Sequence, residues 1–148
     1  MHYLDIALNG IDKNGERKVF KLSDFKKHNI VLYFYPQDDT PVCTQEAEMF
    51  RDAIKELENF ATVIGVNNND IDSHINFQKM YKLNFILLSD EKEELKNSII
   101  SHLKDIQNIN RTTFILNKDG NIEKFWEKVD IDGHTNEIIN FFKSKNNC

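Results

Sequence analysis

The chain has 148 residues, of which 40% are hydrophobic and 29% charged, and its formal net charge is -5. This composition predicts one domain over residues 1–148 with a real core, and the acidic balance gives no reason to expect nucleic acid as a partner. No apolar run is long enough to span a bilayer, no signal-peptide pattern is visible, and two distant cysteines do not make a disulfide framework. We therefore expect a cytoplasmic protein without a membrane partner.

Turns dominate the start of the chain, and a buried strand follows them. Residues 10–15 are predicted to form a turn-rich loop in which Gly15 can supply the positive φ of a hairpin. Residues 18–22 alternate as an edge strand does, and residues 23–27 favour a short helical turn. Residues 30–35 are nearly all apolar, which is typical of a central strand covered on both faces.

The middle of the chain alternates strands with helices. Apolar residues recur at helical spacing over 44–60, and residues 61–66 form a second apolar run. A βαβ unit with two parallel strands is therefore predicted. The further predicted elements are a loop and helix cap at 67–70, a helix at 71–81, a short strand at 85–89, a short helix at 91–97 and an irregular segment with some helical content at 98–110.

A hairpin and a helix complete the pattern. Residues 112–116 and 122–129 have strand character and flank Asn117-Lys118-Asp119-Gly120, a strong hairpin signal. Residues 136–143 are predicted to form the last helix. Helices on both sides of a central mixed sheet give an α/β layer architecture.

Cys43 occupies the position at which the first buried strand has ended and a helix begins. Unpaired backbone N–H groups and the helix dipole favour an anion at such a place, and the thiolate is the nucleophilic form of cysteine. The alternative is that Cys43 is a small buried hydrophobic residue, as most free cysteines are.

The residues around Cys43 resemble a known family. The pattern Pro-x-x-x-Thr-x-x-Cys, formed by Pro36, Thr40 and Cys43, resembles the active-site signature of peroxiredoxins, which are thiol-dependent peroxidases. Residues 33–47 are similar to the bacterioferritin-comigratory, or Q-type, branch, and the similarity continues at residues 111–122 and at Gly133-His134.

This resemblance implies a thioredoxin-like fold and the reduction of hydrogen peroxide and organic hydroperoxides in antioxidant defence. Cys43 would be oxidised to a sulfenic acid and then reduced by an external thiol such as thioredoxin, glutaredoxin or glutathione. No metal, haem or flavin cofactor is expected. We expect a monomer or a weak homodimer.

The resemblance also implies roles for the residues near Cys43. The Thr40 hydroxyl would hydrogen-bond the peroxide, and Pro36 would shield the site. Independently of the resemblance, the backbone N–H groups of Val42 and Cys43 near the helix start are candidates for an oxyanion-type site. Purely structural roles are the alternatives, because threonine often caps a helix and proline often ends a strand.

Arg111 is one of only three arginines in the chain, and it stands directly before a predicted buried strand. The family places an arginine beside the reactive sulfur, where a fixed guanidinium stabilises the thiolate and the transition state. Glu46, three residues after Cys43, would position that arginine. The alternatives are a surface arginine and an acid in the first turn of a helix.

The sequence departs from the Q-type pattern at one place. Many members of that branch carry a resolving cysteine five residues after the peroxidatic one, but this chain has Glu48 there. The only other thiol is Cys148, which we expect to lie far from Cys43, and a one-cysteine mechanism is therefore predicted.

Two other kinds of function stay open. A thioredoxin-fold disulfide reductase is disfavoured because the chain has no Cys-x-x-Cys, and a redox-sensing or chaperone-like module would oxidise Cys43 without turnover. Asp72, Ser73 and His74 are neighbours in sequence, which do not face one another on a helix, so no catalytic triad is predicted.

Overall fold

In the computed structural model, which describes residues 1–106 and 108–146, a sheet of seven strands lies between two layers of helices. The strands are β1 Leu8–Ile11, β2 Arg17–Phe20, β3 Ile30–Phe34, β4 Thr62–Asn67, β5 Ile86–Ser89, β6 Thr112–Leu116 and β7 Ile122–Trp126. The helices are α1 Pro41–Leu57, α2 Ile71–Tyr81, α3 Glu94–Leu103 and α4 His134–Asn146, with short 3-10 helices at Tyr3–Asp5 and Leu22–Phe25.

The sheet is mixed, and its strand order is β2-β1-β5-β4-β3-β6-β7. The three central strands β3, β4 and β5 are parallel, as the predicted βαβ unit requires. On one side β6 pairs antiparallel with β3, and β7 pairs antiparallel with β6. On the other side β1 and β2 form an antiparallel pair, and β2 lies at the edge as predicted. The carboxyl ends of β3 and β7 therefore point to the same end of the sheet.

Two apolar clusters cover the two faces of the sheet, which explains why β3 is buried along its whole length. One cluster joins Tyr33 to residues of α1, α2 and α4, including Phe50, Phe77 and Ile138. The other cluster packs α3 and the N-terminal segment against the opposite face. Cys43 belongs to the first cluster, so its thiol lies under helices rather than on an open surface.

Several predicted boundaries are wrong. Gly10, predicted to lie in a loop, lies within β1, because β1 pairs with β5. The two strands approach so closely there that a Cβ atom on residue 10 would meet Leu87 O at 2.7 Å, which explains the glycine. The short helix predicted at 91–97 instead spans Glu94–Leu103, into the segment predicted to be irregular. The last helix is longer than predicted, and the strand predicted to reach Val129 ends at Trp126.

The last helix runs away from the end of the sheet at which Cys43 lies. At its start, His134 Nε2 lies 2.9 Å from Thr113 Oγ1, close to the end of β7. Near its end, Lys145 Nζ donates to the Glu123 carboxylate, close to the start of β7. This orientation supports the expectation that the chain leads away from Cys43 after β7, but Cys148 itself lies outside the described residues.

Candidate active site

The site is built where β3 ends and α1 begins. The helix starts at Pro41, not at Thr44 as predicted, so Cys43 is the third residue of the first turn. Proline is suited to the first helical position because its φ is fixed near the helical value and it needs no hydrogen-bond partner there. Among the described residues, Cys43 is a free cysteine, and only 1% of it is exposed.

Arg111 joins Cys43 to Glu46 across a sequence separation of more than sixty residues. Its Nη2 donates to Cys43 Sγ at 3.3 Å, and its Nη1 donates to Glu46 Oε1 at 2.8 Å. Arg111 lies just before β6, which pairs with β3, and so the sheet brings its guanidinium to the start of α1. One planar fork thus contacts both side chains, and Arg111 is half-buried rather than exposed.

Burial dominates the electrostatics of this cluster. Desolvation raises the pKa of Glu46 from its ordinary value of 4.5 to about 7, although the charge and hydrogen bond of Arg111 act to lower it. Burial also acts to lower the pKa of Arg111, but Cys43 and Glu46 outweigh it and raise that pKa. The second carboxylate oxygen of Glu46 is buried without a hydrogen-bond partner among the described residues, and the hydroxyl of Tyr33 is in the same state.

Thr40 occupies the N-cap position of α1 but does not cap it with its side chain. Its hydroxyl instead donates to Gln37 O at 3.2 Å, while Thr44 N–H donates to Thr40 O at 2.8 Å. The backbone N–H groups of Val42 and Cys43 come before that first helical bond, so the helix itself supplies them with no acceptor. The structure therefore disfavours the interpretation of Thr40 as a side-chain cap and leaves its hydroxyl at the helix start.

Val42 and Pro36 lie toward solvent. Val42 is 46% exposed, next to the buried Cys43. Pro36 is exposed and lines a cleft of about 190 Å³ together with Ile109 and Asn110, the two residues before Arg111. Cys43 is not among the residues that line this cleft, and so a direct shielding contact between Pro36 and the sulfur stays a prediction.

Sequence reasoning missed a buried polar cluster beneath the loop of residues 36–40. The Asp38 carboxylate accepts hydrogen bonds from Tyr35 Oη at 2.6 Å, Asn67 Nδ2 at 3.1 Å and Ser73 Oγ at 2.7 Å, and it lies 2.7 Å from His74 Nδ1. Ser73 and His74, for which no triad with Asp72 is predicted, both contact Asp38 Oδ2. The signal available in the sequence was that Ser73 and His74 are polar residues on the predicted buried side of the helix over 71–81.

Other features of the described residues lie away from Cys43 or offer no ligand set. A cavity of about 780 Å³ opens near Asn29 and Thr62, where the parallel strands begin, and so it lies at the end of the sheet opposite to Cys43. Within residues 1–106 and 108–146, no group of three or more His, Cys, Asp or Glu side chains could hold a metal ion. None of the helices in those ranges is long and apolar enough to cross a membrane.

A thioredoxin-like sheet that places a buried cysteine in the first turn of a helix, with an arginine on its sulfur, defines a cysteine-based redox enzyme of the peroxiredoxin class. The chain belongs to the AhpC/TSA family, whose model matches residues 4–125. It is 36% identical over 146 residues to peroxiredoxin Bcp of Bacillus subtilis, covering 94% of this chain and 90% of that protein.

Solved structures agree with this assignment. A cysteine-to-serine mutant of Xanthomonas campestris peroxiredoxin Q superposes with a TM-score of 0.85 at 28% identity, covering 97% of this chain and 92% of the other. The bacterioferritin comigratory protein of the same organism, studied for alkyl peroxide reduction, superposes with a TM-score of 0.83 at 27% identity, covering 97% and 93%. The predicted fold and the predicted Q-type resemblance are both confirmed.

Proposed function

We propose that this protein reduces hydroperoxides by a one-cysteine cycle in which Cys43 is the nucleophile. The observation that carries the proposal is the double contact of Arg111, which holds a cation on the Cys43 sulfur and is itself fixed by buried Glu46. A fixed guanidinium favours the thiolate over the thiol and stabilises the charge that develops on the peroxide oxygens during attack.

The first half of the cycle oxidises the sulfur. The Cys43 thiolate attacks one peroxide oxygen, an S–O bond forms, and the O–O bond breaks. The leaving oxygen takes a proton and departs as water or an alcohol, while Cys43 becomes a sulfenic acid, oxidised by two electrons. In this proposal the Thr40 hydroxyl orients the peroxide, Arg111 and the Val42 and Cys43 N–H groups stabilise its oxygens, and Pro36 shapes the approach.

The second half returns the sulfur to the thiol. An external thiol condenses with the sulfenic acid and releases water, and a second thiol reduces the resulting mixed disulfide. Glu48, which occupies the place of a resolving cysteine in many Q-type members, lies in α1 with its carboxylate 3.7 Å from Arg51. The proposed reductant is therefore an outside thiol such as thioredoxin, glutaredoxin or glutathione, in the reducing cytoplasm.

The substrate range includes organic hydroperoxides as well as hydrogen peroxide. Alkyl peroxide reduction by the Xanthomonas campestris relative supports the organic substrates. The exposed apolar side chain of Val42 next to Cys43 offers a surface that an alkyl group could contact. We also propose that residues 1–148 act as one domain, which the single sheet of the described residues supports, and that the protein is a monomer or weak homodimer.

Peroxide consumption in excess dithiothreitol tests the function directly. We expect many equivalents of peroxide to be consumed per protein, with wild-type and Cys148→Ser proteins behaving alike, since both retain Cys43. Consumption of a single equivalent would instead identify a redox sensor. Loss of turnover in Cys148→Ser would contradict the one-cysteine cycle while leaving the peroxidase assignment intact.

A further inference from the structure

Asp38 ties the loop that leads into Cys43 to β4, to α2 and to the loop between them. Its carboxylate bonds Asn67 at the end of β4, and Ser73 and His74 in α2, while its backbone N–H donates to Asn69 Oδ1 at 2.7 Å. The Asp38 side chain is only 3% exposed, and that of His74 is fully buried. The loop position of Asp38, five residues before Cys43, is therefore set by this polar cluster.

The partners of His74 determine how many protons its ring carries. Nε2 lies 2.9 Å from Leu88 O, a carbonyl that can only accept, so this nitrogen must carry a proton. Nδ1 lies 2.7 Å from Asp38 Oδ2, whose carboxylate already accepts bonds from Tyr35, Asn67 and Ser73. An ionised carboxylate can only accept hydrogen bonds, so an Nδ1 bonded to it must carry a proton as well. The ring is then an imidazolium.

The electrostatics of Asp38 agree with this assignment. Burial acts to raise the pKa of Asp38, but the hydrogen bond and charge of His74, together with the Tyr35 and Ser73 bonds, outweigh burial and lower it. The titratable groups that interact with this pair are Tyr35 and Tyr33, and both of them also interact with Cys43. Asp70 at the start of α2 and Asp90 after β5 are the neighbouring acids.

We propose that His74 is a positioning residue of the thiol site: its imidazolium neutralises Asp38, fixes the loop of residues 36–40, and spares the Cys43 thiolate a nearby buried negative charge. Without that cation, the Asp38 carboxylate would face the same tyrosines as Cys43 with its charge uncompensated. A like charge disfavours a second anion, so the thiolate would form less readily. The proposal rests on the proposed function only in taking Cys43 as the reactive thiol.

The protonation state can be observed in the unmodified protein. In ¹⁵N-histidine-labelled wild-type protein at about pH 7.5, we expect both ring nitrogens of His74 to show the shifts and attached protons of an imidazolium, because both face acceptors. The resonance is assigned by single substitutions of the other histidines. A neutral His74 ring with one bare nitrogen at that pH would overturn the proposal. This measurement requires neither peroxidase activity nor a variant at residue 74.

Variants then test the coupling to Cys43 in a Cys148→Ser background, which leaves a single thiol. The rate of alkylation by iodoacetamide is measured against pH, because it reports the thiolate whether or not the protein is a peroxidase. For His74→Gln we expect the midpoint of the profile to rise by on the order of one pH unit, with about tenfold slower alkylation near neutral pH. Adding Asp38→Asn should return the midpoint toward the wild-type value, because the uncompensated charge is gone.

Ser73→Ala is the matched control, because it removes a neutral donor to Asp38 without changing any charge. We expect it to lower the melting temperature and to leave the midpoint in place. If the His74→Gln midpoint also stays in place in the folded protein, His74 only packs the core and the proposal fails. If His74→Gln does not fold, the protonation state of the His74 ring in the labelled wild-type protein decides whether the proposal stands. An imidazolium and a shifted midpoint in a protein without peroxide turnover would uphold this inference and refute the proposed function.

Discussion

Replacing Glu46 by glutamine separates the charge of this buried carboxyl from its shape. Glutamine keeps an oxygen that can accept the Arg111 Nη1 bond, which is 2.8 Å long in the wild-type protein, but it cannot ionise. Glu48→Gln is the matched control, because Glu48 lies in the same helix with 40% of its side chain exposed. A difference between the two variants in the pH dependence of the free energy of unfolding therefore reports the burial of the charge at residue 46.

The expected size of the effect follows from the raised pKa. Burial raises the pKa of Glu46 from 4.5 to about 7 in the folded protein. Between these values the folded state binds a proton that the unfolded state releases, so the free energy of unfolding decreases as pH rises. The contribution of the protonated Glu46 carboxyl to the free energy of unfolding is fully present below about pH 4.5 and is lost as pH passes about 7. At ~1.4 kcal/mol per pKa unit, this loss amounts to about 3 kcal/mol.

Urea unfolding between about pH 4.5 and about pH 8.5 measures this loss. Relative to wild type, we expect Glu46→Gln to become more stable with rising pH, by up to about 3 kcal/mol, and Glu48→Gln to show no such trend. Burial lowers the pKa of His134, but this residue contributes equally to all three proteins and cancels. Parallel pH dependences for wild type and Glu46→Gln would refute the assignment of a buried, protonatable carboxyl.

The remaining predictions concern the reaction itself. Cys43→Ser should fold normally and lose peroxidase activity, because an alcohol is not ionised near neutral pH; near wild-type activity would end the central claim. Arg111→Lys should oxidise about tenfold or more slowly, equal to ~1.4 kcal/mol, since one ammonium cannot reach both Cys43 and Glu46; an unchanged second-order rate would remove Arg111 from the site. Thr40→Val should slow Cys43 oxidation sharply with little change in melting temperature, because the hydroxyl caps no N–H; normal kinetics with a large stability loss would favour a structural role. Peroxide-treated monomer should contain no quantitative intrachain Cys43–Cys148 disulfide by mass spectrometry, and finding one would overturn the one-cysteine cycle.

The central strands and most helices could be predicted because their patterns are local. Continuous apolar residues at 30–35 and helical spacing from Ala47 to Leu57 show the buried face without knowledge of the partners. β1 could not be predicted, since Leu8-Asn9-Gly10-Ile11 has no strand pattern of its own and is ordered by pairing with β2 and β5. Tertiary pairing, rather than local preference, sets such elements.

The candidate site divides in the same way. Cys43, Thr40 and Pro36 lie in one short motif, so sequence reasoning finds them, and the resemblance supplied Arg111 and Glu46, which the sheet then brings together. The cluster of Asp38 with His74 joins residues 36 positions apart, and neither segment has a sequence pattern that predicts the contact with the other. Its members look like ordinary loop and helix residues until the fold buries them.

The burial of Cys43 has a consequence for the lifetime of the enzyme under oxidant. With 1% of the residue exposed, we expect a bulky thiol reductant to reach the sulfur only when the first turn of α1 opens locally. Repair by the reductant then competes with a second peroxide, which converts the sulfenic acid irreversibly to a sulfinic acid. If the proposed cycle operates, the local stability of that single turn, which contains Pro41 and the Thr44-to-Thr40 hydrogen bond, would affect how many cycles one molecule completes before it is inactivated.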